Sequence, residues 1–503
     1  MGSYFIGIDI GTSSAKAVVI DAAGEGLHTT APTYSFSTPK PLWAECDPEE
    51  WWKATCTALR EITEKFGADA IAGIGLTGQM HGLVLLDEVG EVLRPCIMWN
   101  DQRTGAQCAS ITEKVGAEKV LELTGNPVLP GFTAPKIVWV QENEPEVWAK
   151  AKKILLPKDY IRFRLSGSFA TEVSDASGMA LLDVGRRDWS PEMLDACDIP
   201  HEMVARVTES TEASARVDSQ AAAATGLKEG TPIIAGGGDQ AAGAVGCGIV
   251  RSGIVSATLG TSGVVFAHAD QYQPDPQGRL HTFCAAVPGK WHFMGVQLSS
   301  AGSFQWFHDK IARGKSFEDL NRMAEKVPAG SEGLVFLPYL SGERTPHPDP
   351  HARGVFFGLT LVHGLGHMAR AVMEGVTYGL RDALAIMESL GLKPAEIVAS
   401  GGGANSALWR QMLADNFKTR IVTVNATEGA AFGAAVLASV GAGAHPDVPT
   451  ACEAMLHRTG TTEPGPDTVA YDQLYPVFRG LYPALQDSFA KVGEAVEAMG
   501  EGA

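Results

Sequence analysis

Basic residues are in short supply. The chain carries 40 Lys and Arg against 58 Asp and Glu, a formal net charge of −18 over 503 residues. Nucleic-acid backbones and anionic membrane surfaces are bound by basic patches, so neither is expected as a partner. Phosphate can still be bound locally, by backbone N–H groups, a metal ion or a few placed cations. Cysteine is sparse too: the 8 residues are scattered, with no Cys-x-x-Cys pair. That is the pattern of reduced thiols in a cytoplasmic enzyme. In such a chain the glycosylation match Asn425-Ala426-Thr427 carries no meaning. No apolar run reaches the ~20 residues of a membrane span; the most hydrophobic stretch, 430–444, is short and rich in Gly and Ala. The N-terminus, Met1 to Asp9, has no basic flank and meets an acid at once, so no signal peptide is expected. The 13 histidines show no metal-ligand spacing with Cys or carboxylates, and there is no Gly-x-Ser-x-Gly nucleophile elbow.

Glycine is abundant. The 57 residues cluster at the ends of apolar runs, as expected of tight turns and of backbone that approaches a ligand closely. Tyr4–Ile10 and Ala15–Ile20 read as strands joined by the turn Gly11-Thr12-Ser13-Ser14, with a second turn at Asp21-Ala22-Ala23-Gly24. A helix follows, with Asp47 as cap, Pro48 in its first position and Glu50 placed to close a capping box. Trp52, Cys56, Leu59, Ile62 and Phe66 share one face. Residues 71–76 form the next strand. Antiparallel hairpins followed by helix–strand units predict an α/β sheet of mixed direction.

The second half begins the same way: Ile254–Leu259, the turn Gly260-Thr261-Ser262-Gly263, then Val264-Val265-Phe266. The Gly-Thr-Ser turns lie about half the chain apart. Two related domains facing a cleft, 1–249 and 250–503, would produce this; so would two ordinary hairpins. Two further glycine clusters have matching contexts. Residues 232–235 run into Gly236-Gly237-Gly238-Asp239-Gln240, and 397–400 into Gly401-Gly402-Gly403-Ala404-Asn405. Each reads as a buried strand, three glycines and a helix start. The tail over 477–499 reads as helical, interrupted by Pro483, and is expected to pack across the domains.

Two phosphate motifs can be set aside. Gly73-Ile74-Gly75-Leu76-Thr77-Gly78 fits the dinucleotide pattern, but a strand follows where that fingerprint needs a helix. Gly314-Lys315-Ser316 imitates a P-loop end, but Asp309 stands where its first glycine belongs. What remains is a set without a P-loop. Asp9 precedes a turn whose N–H groups and hydroxyls can cradle phosphate, while its carboxylate can hold a metal ion and Lys16 adds a cation. Asp239 is the candidate base. A following helix N-terminus would keep it ionised at neutral pH, although Asp in this place is also a common helix cap. The loop Gly78-Gln79-Met80-His81-Gly82 offers polar recognition through Gln79 and His81. Trp99-Asn100-Asp101-Gln102-Arg103 sets an aromatic face beside hydroxyl-bonding groups, which suits a polyol; a capped helix start there fits equally well.

With Asp9-x-Gly-Thr-Ser-Ser, Gly-Gly-Gly-Asp239-Gln, Leu-Gly-Thr261-Ser-Gly and Ser400-Gly-Gly-Gly in this order, the chain resembles the carbohydrate kinases of the glycerol kinase and xylulokinase family. The stretches Gly131-Phe132-Thr133-Ala134-Pro135-Lys136-Ile137-Val138-Trp139 and Gly354-Val355-Phe356-Phe357-Gly358 through His367 and Ala371 to Glu374 add to the likeness. The loop at Met80-His81, Leu156-Pro157-Lys158-Asp159-Tyr160 and Leu337-Pro338-Tyr339-Leu340-Ser341-Gly342-Glu343-Arg344-Thr345-Pro346 are similar to the xylulokinase branch. The resemblance implies an α/β fold of two actin-like (ribonuclease H-like) ATPase domains facing a central cleft. The first would carry the sugar site and catalytic Asp, the second the nucleotide site and C-terminal helices. It implies phosphorylation of D-xylulose by ATP with Mg²⁺.

Asp239 resembles the general base, and Asp9 the carboxylate near metal and phosphates, with both beside the metal. Met80, His81, Asp239 and Gln240 resemble sugar contacts, to which Trp99 is added on its own chemistry. Thr12, Ser13, Lys16, Gly260, Thr261, Gly302, Gln305, Gly402, Gly403 and Asn405 resemble the nucleotide site. One departure, Gln240 where many xylulokinases carry Asn, bears on which sugar is used. Ribulose, ribitol or another polyol is the alternative acceptor, and a sugar- and ATP-binding regulator the alternative class. The expected partners are a small-molecule sugar and ATP, with a homodimer left open.

Overall fold

Apolar runs interrupted by small polar turns fold first into hairpins. In the computed structural model, which describes residues 3–425 and 429–500, β1 (Tyr4–Ile10), β2 (Ala15–Ile20) and β3 (Gly26–Thr30) form an antiparallel meander. Met1, Gly2, Ala426 and Thr427 lie outside the described residues. β4 (Ile71–Gly78) joins β1 in parallel, β5 (Ala213–Arg216) forms the far edge, and β6 (Pro232–Gly238) lies between them, parallel to β4. The sheet order is β5-β6-β4-β1-β2-β3.

The second sheet contains β7 (Ile254–Leu259), β8 (Gly263–Ala269), β9 (His281–Cys284), β10 (Trp291–Gln297), β11 (Glu396–Ser400), β12 (Ile421–Val424) and β13 (Arg458–Thr462). Its order is β9-β10-β8-β7-β11-β12-β13. β7, β8 and β10 form the antiparallel meander, β11 and β12 add in parallel, and β13 closes the edge antiparallel. Apart from the added strand β9, the second sheet repeats the first strand for strand. The two Gly-Thr-Ser turns therefore occupy the same topological place.

The two triple-glycine clusters do not. Gly236, Gly237 and Gly238 end β6, whereas Gly401, Gly402 and Gly403 follow β11, whose counterpart is β4. Local composition matched them; position in the sheet separates them.

Helix α1 (Pro48–Phe66) buries Trp52, Cys56, Leu59 and Ile62 against the first sheet. Asp47 caps it by accepting from the Glu49 N–H at 3.0 Å. The expected capping box does not form, because the Glu50 carboxylate takes Lys53 at 2.7 Å instead.

Helices α2 (Asp239–Gly246) and α3 (Gly429–Gly441) follow β6 and β12, so they too are counterparts. α3 packs against the first sheet, and α2 lies between the two, with Ala241 and Val245 in the core of Phe5, Val18 and Ile234. Ala244 of α2 meets Phe266, Val398 and Val422 of the second sheet, while Ala431, Phe432 and Ala435 of α3 meet Phe5 and Val18 of the first. The helices touch where they lack side chains. A Cβ on Gly433 would stand 1.8 Å from the Ala242 carbonyl oxygen, and one on Gly246 2.4 Å from that of Gly429.

The last helix, α4 (Thr468–Gly500), starts earlier than expected and runs on through Pro476 and Pro483. Its Tyr471, Tyr475, Phe478 and Tyr482 are buried in the second domain's own core, so it does not pack across the domains. That buried aromatic face outweighs the backbone donors the prolines remove.

The halves meet a second time at the β9–β10 edge. Cys284 N–H donates to Ser177 Oγ at 3.1 Å, and Trp291 Nε1 to the Val184 carbonyl at 2.8 Å. All 8 cysteines are free, and no described helix is long and apolar enough to cross a membrane.

Gly246→Ala should lower the unfolding free energy by about 1–3 kcal/mol through overpacking. Gly243→Ala in the same helix, where the nearest atom to a new Cβ is 3.9 Å away, should be neutral or stabilising. Urea denaturation of the two variants checks the contrast.

Candidate active site

β6 runs straight into α2, and Asp239 is the first helical residue; Gly238 holds the cap position and no side chain caps the helix. The carboxylate of Asp239 is therefore not consumed as a cap. The strand end before it is clamped from below: Gly238 N–H donates to Ser174 Oγ at 3.0 Å, Ser174 donates to Glu172 at 2.7 Å, and Arg162 holds the Ala235 carbonyl at 2.7 Å.

Burial, and then the charge of Asp9, push the Asp239 carboxyl up to about 7 against hydrogen bonds from Gln240. At about 7 the group is only partly ionised at neutral pH, less than the helix N-terminus alone would give. Lost solvation and a like charge outweigh the first-turn dipole. Asp9 itself, opposite Lys16 across the β1–β2 ladder, is raised by burial to about 6, with Lys16 pulling the other way.

Asp9 Oδ1 is buried without a hydrogen-bond partner. An orphaned carboxylate oxygen beside a second carboxylate fits a hard divalent cation such as Mg²⁺, which takes few protein ligands and completes its shell with water and phosphate. Among the described residues no group of three or more His, Cys, Asp or Glu could hold a metal.

The polar loop after β4 divides its labour. Gln79, expected to recognise a ligand, is buried and ties the loop to β1, donating its N–H to the Ile10 carbonyl at 2.8 Å and Nε2 to that of Gly11 at 3.1 Å. Met80 packs against Gly238, where a Cβ would meet its side chain at 2.9 Å. His81 adopts a left-handed backbone (φ 71°) and stacks on Phe132 at 4.7 Å. Its Nδ1 lies 2.7 Å from the Gly178 carbonyl. A carbonyl accepts only, so Nδ1 carries the proton and Nε2 is left as an acceptor. Burial and then the Lys136 charge push its pKa down to about 3, so the ring is neutral at physiological pH. Lys136 locks the loop from behind by donating to the His81 and Gly131 carbonyls at 2.9 and 2.7 Å.

Trp99 is exposed, and its indole N–H donates to Thr12 Oγ1 at 3.1 Å, joining the proposed sugar face to the first phosphate turn. Asp101 is not free for a ligand: Arg103 holds it at 2.9 and 2.7 Å, and the Ala44 N–H at 2.7 Å. Gln240 is exposed next to Asp239. Sequence reasoning missed Tyr34, whose hydroxyl donates to the Gly11 and Ser14 carbonyls at 2.5 and 3.0 Å and so fixes the turn holding Thr12 and Ser13.

The second Gly-Thr-Ser turn opens onto a cavity of about 1050 Å³. Gly260, Thr261, Gly302, Gln305, Gly402, Gly403 and Asn405 all line it. Thr12, Ser13 and Lys16 lie on the opposite hairpin, outside this cavity. Backbone bonds from Ala301 to Gly260 (2.8 Å) and from Gly302 to Thr261 (3.2 Å) weld the turn to the following helix. Gln305 donates to Asp309 at 2.8 Å. Phe304, Phe317 and Trp409 add an apolar wall that the motifs did not reveal. Size and lining suit a nucleoside.

Residues 4–246 match the N-terminal domain, and residues 255–442 the C-terminal domain, of the FGGY family of carbohydrate kinases. A xylulose kinase of Escherichia coli is 43% identical over 87% of this chain and 90% of its own. One of Bacillus subtilis is 39% identical over 96% and 97%. The crystal structure of a kinase from Brucella ovis, described as a "xyloylose kinase", superposes with a TM-score of 0.91 at 39% identity, covering 96% of this chain and 99% of that one.

Both raised carboxyls bind protons more tightly folded than unfolded. Each therefore subtracts stability as pH rises from about 4 towards 7, in full above that. Asp239→Asn should raise the unfolding free energy of the ligand-free protein at pH 7.5 by about 2 kcal/mol and change it little at pH 4. Denaturation at the two pH values measures this; an equal effect at both would mean that the carboxyl is not strained by its site.

Proposed function

The chain belongs to the FGGY family of carbohydrate kinases, and from that premise we propose that it transfers the γ-phosphoryl group of ATP to the terminal hydroxyl of D-xylulose. The product is D-xylulose 5-phosphate. The observation that carries the reading is Asp239, uncapped at the head of α2 between the neutral His81 loop and Asp9.

The furanose form of a pentulose closes through O5, which blocks that oxygen, so the acceptor must be the open-chain ketose. Asp239 takes the C5 hydroxyl proton as the O5–phosphorus bond forms and the bond to the ADP oxygen breaks. A carboxylate raised to about 7 is a stronger base than an ordinary one, yet remains largely ionised at slightly alkaline pH. Met80 supplies shape, His81 accepts a hydroxyl proton at Nε2, and Trp99 gives an apolar face. Thr12, Ser13 and Lys16 approach the phosphates from one domain, Gly260 and Thr261 from the other, with the nucleoside in the cavity of Gly302, Gln305, Gly402, Gly403 and Asn405. Mg²⁺ held at Asp9 and Asp239 would neutralise phosphate charge.

We divide the chain at 249/250 and place the enzyme in the cytoplasm. A kinase for ribulose or ribitol is the second reading. It is favoured by Gln240, whose side chain reaches the base and brings a longer amide to the acceptor than Asn would.

Asp239→Asn should lower kcat by roughly 10²–10⁴-fold while nucleotide affinity, followed by calorimetry, is kept. Near-normal turnover would remove Asp239 from the chemistry. In a coupled ADP-release assay D-xylulose should exceed D-ribulose and far exceed glycerol, and His81→Ala should narrow the gap between the pentuloses. Preference for ribulose or ribitol would leave a sugar kinase but not one for xylulose.

A further inference from the structure

One motif remains without a role: Glu343-Arg344-Thr345. It is fastened to the β10 end of the second sheet. Thr345 N–H donates to the Val296 carbonyl at 3.0 Å and Thr345 Oγ1 to that of Arg279 at 2.9 Å. Glu343 accepts from the Leu298 and Arg344 N–H groups at 2.9 and 2.7 Å. The Arg344 side chain forms no hydrogen bond or ion pair with any described residue. Lost solvation lowers its pKa, with the charge of Glu343, itself raised by burial to about 8, pulling the other way.

Arg279 leads into β9, whose first residue is His281. His281 Nδ1 lies 2.7 Å from Asn126 Oδ1. The Asn126 amide nitrogen is committed to the Thr124 and Thr282 carbonyls, which fixes its oxygen towards His281. Nδ1 therefore carries the proton, and Nε2 of His281 is an acceptor, as in His81. The two rings share neighbours: Phe132 lies 4.7 Å from His81 and 6.1 Å from His281, Phe283 6.4 and 5.5 Å. The positive charge of Arg344 bears on both imidazoles, whereas the charge that bears on Asp239 is that of Asp9. Since Thr345 bonds the Arg279 carbonyl, two residues before His281, Arg344 belongs to the side of the site where His81 and His281 share Phe132 and Phe283.

We propose that Arg344 and His281 form the far wall of the acceptor site, with the guanidinium donating to the C2 keto oxygen of the open-chain ketose and His281 Nε2 accepting from a neighbouring hydroxyl. This deepens the reading above and rests on the acceptor lying against His81. The chemistry is complementary. Two neutral imidazoles offer only acceptors, which suit hydroxyls; a carbonyl oxygen needs a donor, and Arg344 is an unpaired one. The wall therefore distinguishes a ketose from the alditol made by reducing its carbonyl.

The test compares wild type with Arg344→Gln on D-xylulose against xylitol and on D-ribulose against ribitol. Wild type should prefer each ketose to its alditol. The variant should lose roughly ten- to a hundredfold in kcat/KM on the ketoses, as for a hydrogen bond to a charged group. It should lose little on the alditols, with an unchanged melting temperature and ATP affinity. Equal losses on ketose and alditol would move Arg344 to the phosphate or to a general role and overturn the assignment. So would no loss, or a wild-type preference for alditols or sugar acids. If ribulose is preferred to xylulose but the ketose–alditol gap still collapses, the xylulose reading falls and Arg344 keeps its place.

Discussion

The constraint that ties the two halves together is the close crossing of α2 and α3. Neither helix could approach as it does with a methyl group at Gly246 or Gly433. α3 leaves the second sheet and covers the first, while α2 packs towards both, so the crossing joins the two apolar cores. Asp239 heads α2. The residue proposed to accept the proton is thus mounted on the element that both halves grip.

The site is built against its own stability. Asp9 and Asp239 are buried near each other, and Asp9 Oδ1 is left unpartnered. Such an arrangement persists because the surrounding structure over-determines it. Here the clamp is visible: Ser174 and Glu172 hold the Gly238 N–H, and Arg162 holds the Ala235 carbonyl. Lys158, fully buried, balances the acids beneath, at 2.8 Å from Asp159 and 3.1 Å from Asp175. This floor holds the two carboxyls in place against their mutual repulsion.

Much of this was legible in the sequence, for reasons that differ by element. The bounds of β1, β2 and β7 follow from apolar runs ended by Gly-Thr-Ser turns, and these are local signals. The residues of the second half expected at a nucleotide could be carried over from motifs and converge on one cavity. Protonation was not legible, because the pKa of Asp239 depends on burial and on Asp9, over two hundred residues away. Nor was the inequivalence of the glycine clusters, since strand order is set by tertiary pairing. Gln79 and Asp101 looked like recognition groups but serve the backbone and Arg103. Tyr34, Phe304 and Trp409 carried no motif. His281 and Arg344 come from a strand and a loop of the other half; Arg344 showed only within the stretch Leu337 to Pro346, similar to the xylulokinase branch, with no role of its own.

The exchanged helices also bear on how such a chain could be cut. A break near residue 249 would sever the loop that joins the two halves, yet the second fragment would keep the lid of the first sheet. The first fragment would leave the apolar face of β1 and β2 bare, and the Ala244 side of α2 without the second sheet; the second would hold α3 without the sheet it covers. Neither piece is a self-sufficient module, although their sheets are near copies in topology. The two should instead behave as complementary parts, insoluble apart and soluble when co-expressed, so this backbone is suited to split-protein reassembly and unsuited to domain-by-domain dissection.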